Sequence, residues 1–228
     1  MKKTDFRGFT LNKLNTEEYS HLKLLLYWPL YGLVFWFVER AYRPGAYIVM
    51  HCSLDNMIPF CEYFLIPYLF WFVYLTGSIA YTLFCDVPVF RKQMRFIIIT
   101  YSVTMLIYLI FPTCQHLRPA VFARDNILTR FMAYFYAFDT DTNVCPSLHV
   151  IGSFAAMLAL WETERFSSPA WRAANVVCCV LICVSTVFVK QHSVLDVLAA
   201  LPLCMIGGCI SFRPVRRMPE TYKMAQKI

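Results

Sequence analysis

Charged residues are scarce in this 228-residue chain. They make up 15% of it, whereas 59% of the residues are hydrophobic and 17% are aromatic. Soluble domains carry about 25% charged residues, and fewer aromatics. A chain so poor in charge, with a mean hydropathy of +0.52, is not an ordinary soluble domain. The composition predicts an integral membrane protein.

The chain also lacks Ser/Gly-rich linkers, low-complexity tracts and internal repeats, so we expect one compact all-α bundle. Six segments are apolar enough to span or nearly span a bilayer, which takes about 20 residues per helix. The predicted spans are residues 22–38, 63–85, 96–114, 147–161, 173–189 and 194–212. The fourth and fifth are short. The sequence therefore predicts a six-transmembrane-helix bundle.

Basic residues divide unevenly between the two sides of such a bundle. With a cytoplasmic N-terminus, the outer side holds six of the 21 Lys and Arg residues and the cytoplasmic side holds the rest. The six outer residues are Arg40, Arg43, Arg118, Arg124, Arg130 and Lys190. The positive-inside rule then places both termini in the cytoplasm. Because these charges are spread over short loops, the net charge of +7 favours anionic lipid, not nucleic acid, as the partner.

This topology divides the chain into three parts. We expect a cytoplasmic N-terminal segment at residues 1–21, a six-helix membrane catalytic domain at residues 22–212, and a basic cytoplasmic tail at residues 213–228. The ten cysteines show no zinc-type spacing, and most of them fall in the spans, where a thiol packs as a small apolar group. Four lie near the outer face, and the sequence leaves open whether they form a disulfide; these are Cys52, Cys61, Cys114 and Cys145.

Three short motifs lie beside the ends of apolar segments on the outer side. They are an Arg-Pro pair at residues 118–119, Pro-Ser-Leu-His at residues 146–149, and His192 followed four residues later by Asp196. Ionisable groups are costly at a membrane boundary, so the convergence of several there indicates function.

The residue types suit phosphoryl transfer, which asks a protein mainly for positioning and charge stabilisation. Arg118 presents a planar fork of donors that matches phosphate oxygens, and Ser147 opens a helix whose free N–H groups attract anions. Asp196 lies one helical turn from His192, so it can hold one ring nitrogen and leave the other free to attack phosphorus. His149 can protonate the leaving oxygen.

Each motif also has a simpler interpretation. Ser193 and Asp196 could merely cap a helix, Arg118 could be a snorkelling anchor, and a histidine at the end of a span could bind lipid headgroups. Any of these would be preferred for one motif alone, but their joint occurrence on one face favours an active site. A metal site built from the two histidines and the aspartate also stays open. We expect no metal and no other cofactor.

Taken in order, Arg-Pro, Pro-Ser-x-His and Ser…His-x-x-x-Asp resemble the type 2 phosphatidic acid phosphatase superfamily of integral membrane enzymes. The resemblance covers roughly residues 111–201. It implies a lipid phosphatase in which His192 forms a phosphohistidine, Asp196 orients it, and His149 is the general acid. By the same resemblance, the residues that would hold the phosphoryl group are Arg118 and Ser147, while Ser185 matches the serine that opens the third motif.

The chain departs from the family pattern at two positions. Phe111 stands where a lysine is usual, and Thr186 where an arginine is usual, so two cationic phosphate contacts are missing; Lys190 could replace one. Similar losses mark the branch of inositol-phosphorylceramide and sphingomyelin synthases. Their phosphodiester substrates carry less charge than monoesters. A headgroup transferase is therefore the second interpretation, and a catalytically degenerate membrane scaffold is the third.

A further His-x-x-x-Asp, from His51 to Asp55, precedes the second predicted span. No phosphate-binding residues accompany it. We interpret this segment as an interfacial helix in preference to a substrate lid.

Overall fold

A computed structural model describes residues 5–212 of the chain. Eight α-helices account for most of these residues, joined by short 3₁₀ segments and one pair of two-residue strands. The helices are α1 Tyr27–Trp36, α2 Ser53–Met57, α3 Leu65–Cys85, α4 Val87–Ile110, α5 Ile127–Phe138, α6 Leu148–Glu162, α7 Pro169–Phe188 and α8 Val194–Ser211. The strands, β1 Ile48–Val49 and β2 Thr113–Cys114, pair in parallel. The predicted basic tail and the first four residues of the N-terminal segment lie outside the described residues.

Five helical segments are long and apolar enough to cross a membrane. They are Ser20–Ala41, Glu62–Cys85, Val87–Ile110, Pro169–Phe188 and Val194–Ser211. The first contains α1 between a 3₁₀ turn and a π turn. The prediction of a helical multi-pass membrane protein is therefore confirmed.

The remaining predicted span corresponds to α6, which is short. Its 15 residues reach about 22 Å at 1.5 Å per residue, less than the roughly 30 Å hydrocarbon layer. Helices α3, α4, α7 and α8 all pack against it. A helix enclosed in this way need not match the bilayer thickness, and the count of six spans stays a prediction.

The predicted bounds of the third span were wrong. Residues 96–114 were expected to be helical, whereas α4 begins at Val87, immediately after α3, and ends at Ile110. Its first turns carry basic side chains with polar partners, such as Lys92, whose Nζ lies 2.5 Å from Oε2 of Glu162. At the other end the chain leaves the helix because Thr113 and Cys114 pair with β1.

Helix α5 was not predicted. Asn126 caps this helix by accepting hydrogen bonds from the N–H groups of Leu128 and Thr129. The helix is amphipathic, with Met132 buried and Tyr134 exposed. It packs against the start of α3 and the end of α7, where Met132 contacts Leu65 and Val189.

The core lies around α6, which is rich in small residues. Val150, Ile151 and Ala155 are fully buried against Phe96 and Ile97 of α4. Close helix contact also depends on Gly207 of α8, where a Cβ atom would lie 2.6 Å from Thr100 of α4. All ten cysteines are free thiols. The bundle thus holds the start of α6 in a fixed place between its neighbours.

The orientation of this bundle is tested by inserting an epitope tag after Ala123, in the loop before α5. From the positive-inside rule we expect antibody to bind this tag on intact cells. A tag after Ser167, in the loop between α6 and α7, is the matched control and should bind antibody only after permeabilisation. The reverse pattern would show that the topology is inverted.

Candidate active site

A cavity of about 340 Å³ lies next to the starts of α6 and α8. Of the predicted site residues, His149 and His192 line it, and aromatic side chains supply half of its twenty lining residues. The aromatic residues are Trp28, Tyr31, Phe35, Tyr68, Trp71, Phe72, Tyr101, Tyr108, Phe135 and Phe138. The pocket is therefore largely apolar, with two histidines on its wall.

His192 is held in the tight turn between α7 and α8. Its backbone N–H donates to the carbonyl oxygen of Thr186, 3.1 Å away, so the turn folds back onto the end of α7. Its Nδ1 lies 3.2 Å from Oδ2 of Asp196, which is fully buried. Among the described residues, no hydrogen bond involves its Nε2. The pairing with Asp196 therefore leaves Nε2 available, and the residue lines the cavity.

The same carboxylate also caps α8. Oδ2 of Asp196 accepts the backbone N–H of Ser193 at 2.9 Å, while Oγ of Ser193 accepts the N–H of Leu195. The simpler interpretation, a capping box, is thus correct as well. The two roles are compatible, because a carboxylate oxygen accepts more than one hydrogen bond.

His149, in the first turn of α6, is placed by aromatic rings. It stacks on Tyr68 at 4.4 Å between ring centroids, and Trp71 lies at 4.5 Å. Its centroid is 5.7 Å from that of His192. Its Nε2 is buried without a partner among the described residues. The two histidine rings therefore lie edge to face beside the same cavity.

Ser147 joins the starts of the two helices. Its backbone N–H donates to the carbonyl oxygen of Asp196 at 3.1 Å. Its hydroxyl is buried and has no partner in residues 5–212, although the residue does not line the cavity. The predicted role in holding phosphate stays a prediction.

The Arg118 guanidinium is engaged with other groups of the chain. Its two Nη atoms donate to the carbonyl oxygens of Tyr136, Asp139 and Thr140, and the Gln191 side chain accepts from Nε and Nη2 at 3.1 and 2.6 Å. A guanidinium has five N–H donors, and here all five are used. Arg118 therefore fixes the loop after α5 to the turn that carries His192, and its predicted contact with phosphate stays a prediction.

The other two predicted binding residues lie away from the cavity. Oγ of Ser185 donates to the backbone carbonyl oxygen of Ile182, within α7. Nζ of Lys190 donates to the carbonyl oxygens of Asp55 (2.8 Å) and Ile58, at the end of α2. Neither is directed at the space between the histidines.

Several polar residues of the cavity were missed by the sequence analysis. Glu39 accepts hydrogen bonds from Thr140 and from Asn143, 3.1 Å away, and Gln191 donates to Asp139 at 3.0 Å. All five residues line the cavity. Neither spacing nor composition marks them, because they come together only when the loops fold. Within the described part of the chain, no Lys or Arg side chain lines this cavity.

Asp139 is half-buried at the wall of the cavity. Burial raises the pKa of its carboxyl, and the nearby charges of Arg118 and His192 oppose that rise. A phosphate in the cavity would therefore lie near one carboxyl group that holds its proton more tightly than usual.

The second His-x-x-x-Asp motif contributes one residue, Asp55, that binds the start of α8. Asp55, in α2, is buried, and its carboxylate accepts the Ser193 hydroxyl at 2.6 Å and the Val194 N–H at 2.8 Å. The start of α8 is thus bound by a carboxylate of another helix, Asp55, and by a carboxylate of α8 itself, Asp196. His51 is exposed and lies 2.9 Å from Asn56. This support was not foreseen, because it joins residues more than a hundred positions apart.

Comparison with known proteins gives one match. A model of the PAP2 superfamily matches residues 92–218, which contain all three motifs. No curated protein and no solved structure matches the chain.

Replacing Asp55 with Asn should weaken both the fold and the site. Although burial alone would raise the pKa of this carboxyl, hydrogen bonds from Ser193, Val194 and Cys52 outweigh it and hold the pKa below its ordinary value. An amide keeps one acceptor oxygen, so we expect a loss of about 1–3 kcal/mol in unfolding free energy at pH 7. Displacing His192 should also lower turnover, by up to about 10²-fold.

The measurement is thermal unfolding of the parent and Asp55→Asn proteins in detergent at several pH values. Since the folded pKa is lowered, the carboxylate stabilises the protein fully above pH of about 4, and this stabilisation is lost as the pH falls through the folded pKa. The difference between the two proteins should shrink over that acid range. Asp125→Asn, at an exposed carboxylate, is the control. Equal unfolding temperatures at pH 7 would contradict the assignment.

Proposed function

Because the chain belongs to the PAP2 superfamily, whose members are generally phosphatases or phosphotransferases, we propose that it cleaves a phosphoester bond of a membrane lipid. The first candidate is a lipid phosphatase that hydrolyses a lipid phosphate monoester or diphosphate. The lipid would be phosphatidate-like or a polyprenyl phosphate. Its reaction would pass through a phosphohistidine on His192. The site would open on the non-cytoplasmic face, with both termini in the cytoplasm.

One observation carries this proposal. Asp196 holds Nδ1 of His192 at 3.2 Å, and the ring faces His149 across 5.7 Å beside a cavity. A carboxylate in this position selects the tautomer whose Nε2 carries a lone pair, and it stabilises the charge that the ring acquires on attack. The second histidine is close enough to serve the leaving group on the same phosphorus.

The reaction would take two steps. In the first, Nε2 of His192 attacks phosphorus, the bond from phosphorus to the lipid oxygen breaks, and that oxygen leaves with a proton from His149. In the second, His149 takes a proton from water, the water oxygen attacks phosphorus, and the nitrogen–phosphorus bond breaks to release phosphate. The nucleophile is an imidazole, so the proposed route needs no metal ion.

The second candidate is a headgroup transferase of the inositol-phosphorylceramide or sphingomyelin synthase type. The cation-poor cavity favours it, because Arg118 and Lys190 bind protein carbonyl groups and the lining includes Glu39 and Asp139. A phosphate monoester carries about two negative charges near neutral pH, as a phosphorylated side chain does, whereas a diester carries one. A cavity with few cations therefore suits the diester, with a lipid alcohol replacing water in the second step.

Trapping a phosphorylated form of the enzyme from labelled substrate tests the role of His192. The purified parent, given a ³²P-labelled lipid in the presence of EDTA, should yield acid-labile label on histidine. His192→Ala should yield none, and Asp196→Asn should yield it slowly. The turnover of His149→Ala should fall about 10²–10⁴-fold with a natural lipid. It should fall less with an aryl phosphate, whose leaving group needs no proton.

His116→Ala is the matched control, because His116 is an exposed histidine outside the cavity, and it should behave as the parent does. Label on His192→Ala at the parental level would refute the assignment. Label that forms only with zinc or magnesium and not in EDTA would favour the metal-site alternative. Absence of label from every substrate would favour the scaffold interpretation.

Chasing the trapped intermediate separates the two candidates. Label released as free phosphate in buffer identifies a phosphatase. Label that stays bound until ceramide or diacylglycerol is added, and then appears in a new lipid, identifies the transferase.

A further inference from the structure

The cavity beside the two histidines has a polar end and an aromatic end. Apart from the histidines, its polar lining residues come from turns and loops: Glu39 lies in the π turn after α1, residues 139–143 follow α5, and Gln191 precedes α8. Its aromatic lining residues lie within helices, such as Trp28 in α1 and Tyr101 in α4. A lipid that reacts in this cavity therefore meets two different surroundings.

Helix α1 and the turn after it run from one end of the cavity to the other. Four of their residues line it, at spacings of three and four that keep them on one side of a helix; these are Trp28, Tyr31, Phe35 and Glu39. At 1.5 Å per residue, Glu39 lies roughly 16 Å from Trp28 along the axis. In the expected orientation, the chain enters the membrane here from the cytoplasm. The polar end then lies towards the outer boundary, and the aromatic end lies deeper.

Two carboxyl groups are fixed at the polar end. Glu39 accepts hydrogen bonds from Thr140 and from Asn143, the latter at 3.1 Å. Asp139 accepts one from Gln191 at 3.0 Å. Both acidic residues are half-buried and line the cavity. A carboxylate has more lone pairs than these bonds use, so each group can accept further hydrogen bonds from a ligand.

The Asp139 carboxyl is tied to the turn that carries the proposed nucleophile. Arg118 donates to the backbone carbonyl oxygen of Asp139 and to the side chain of Gln191. Gln191 in turn donates to the Asp139 carboxyl. Since Gln191 and His192 are neighbours in the chain, the polar end begins beside the histidine that would bind phosphorus.

The charge of this end favours one kind of ligand. The lining contains two carboxyl groups, and among residues 5–212 no Lys or Arg side chain lines it. Repulsion by a carboxylate grows with the negative charge of the ligand. The rings of Phe35 and Phe138, which also line the cavity, attract positive charge at their faces. The polar end therefore suits a group that donates hydrogen bonds or carries a positive charge.

On the basis of the proposed function, we infer that Glu39 and Asp139 bind the headgroup of the substrate lipid and select phosphodiesters whose headgroup carries hydroxyl or ammonium groups. With phosphorus between His192 and His149, such a headgroup reaches the polar end while the acyl chains reach the aromatic end. The headgroup stays on phosphorus when the bond to the lipid oxygen breaks. A phosphatidate has no group beyond its phosphate and would leave the polar end unused.

The test compares four lipids with the same acyl chains in mixed micelles, with ceramide present as an acceptor. They are phosphatidylglycerol, phosphatidylethanolamine, phosphatidylmethanol and phosphatidate, and each releases diacylglycerol, so one product measures kcat/KM for all. Phosphatidylmethanol is a diester whose headgroup has no donor. The parent should prefer the glycerol or the ethanolamine lipid to it by about tenfold, the factor that one net hydrogen bond supplies. The better of the two shows whether hydroxyl or ammonium groups are bound, and phosphatidate should be the poorest substrate.

Glu39→Gln and Asp139→Asn keep the size of each side chain and remove its charge. Both variants should lower the preference for the donor-bearing headgroup, mainly through KM. The loss should be larger for ammonium than for hydroxyl groups, because an amide oxygen still accepts a hydrogen bond. Both should also raise kcat/KM for phosphatidate roughly tenfold relative to phosphatidylmethanol, since the repulsion of its second negative charge falls.

Asp141→Asn is the matched control. Its carboxylate is two residues from Asp139 and partly exposed, and the residue does not line the cavity. Removing this charge should leave the order of the four lipids as it is in the parent.

Binding is measured in parallel as the rise in unfolding temperature of His192→Ala with each lipid, which needs no turnover. The expected order in binding, without turnover by the parent, would support the headgroup site and remove the proposed function. Equal binding and equal kcat/KM for the three diesters would overturn the headgroup site, whatever the trapping experiment shows. So would a preference that Glu39→Gln and Asp139→Asn both leave unchanged, or a parent that prefers phosphatidate.

Discussion

The buried carboxylate of Asp196 is the interaction on which the rest of the site depends. It is fully enclosed, and a buried charge is tolerated only when hydrogen bonds compensate it. His192 and the Ser193 N–H both bind its Oδ2, and the Asp196 backbone carbonyl oxygen accepts the Ser147 N–H. One residue therefore fixes the nucleophile, caps α8 and joins the start of α6 to it. The position of His149 follows, because that residue comes two positions after Ser147.

Further polar contacts surround this junction. Asp55 binds Ser193 and Val194, Lys190 binds the carbonyl groups of α2, and Arg118 ties the loop after α5 to Gln191. Burial lowers the pKa of the Lys190 ammonium, and the charge of Asp55 opposes that shift. Each of these groups would carry an uncompensated charge if its partner moved. The network thus makes the turn at residues 189–193 rigid, although most of its members do not touch the cavity.

The sequence predicted the parts of this protein that follow from local patterns. The apolar runs marked five of the six expected spans, and the four-residue spacing of His192 and Asp196 predicted their contact. Local sequence patterns do not show which acceptor groups a side-chain donor will bind in the folded protein. The expected contact of Arg118 with phosphate stays a prediction; its five donors bind backbone carbonyl oxygens and the Gln191 side chain, and no sequence spacing indicates these partners. Helix α5 and the role of Asp55 also depend on contacts between distant segments.

In the proposed mechanism, one phosphorus atom reacts between His192 and His149. An experimental structure of the protein with orthovanadate, which adopts the five-coordinate geometry of a phosphorus under attack, tests this most directly. We expect vanadium bonded to Nε2 of His192, with a vanadate oxygen within hydrogen-bond distance of His149 and Asp196 still paired with Nδ1. Vanadate bound at a site that includes neither histidine would contradict the account.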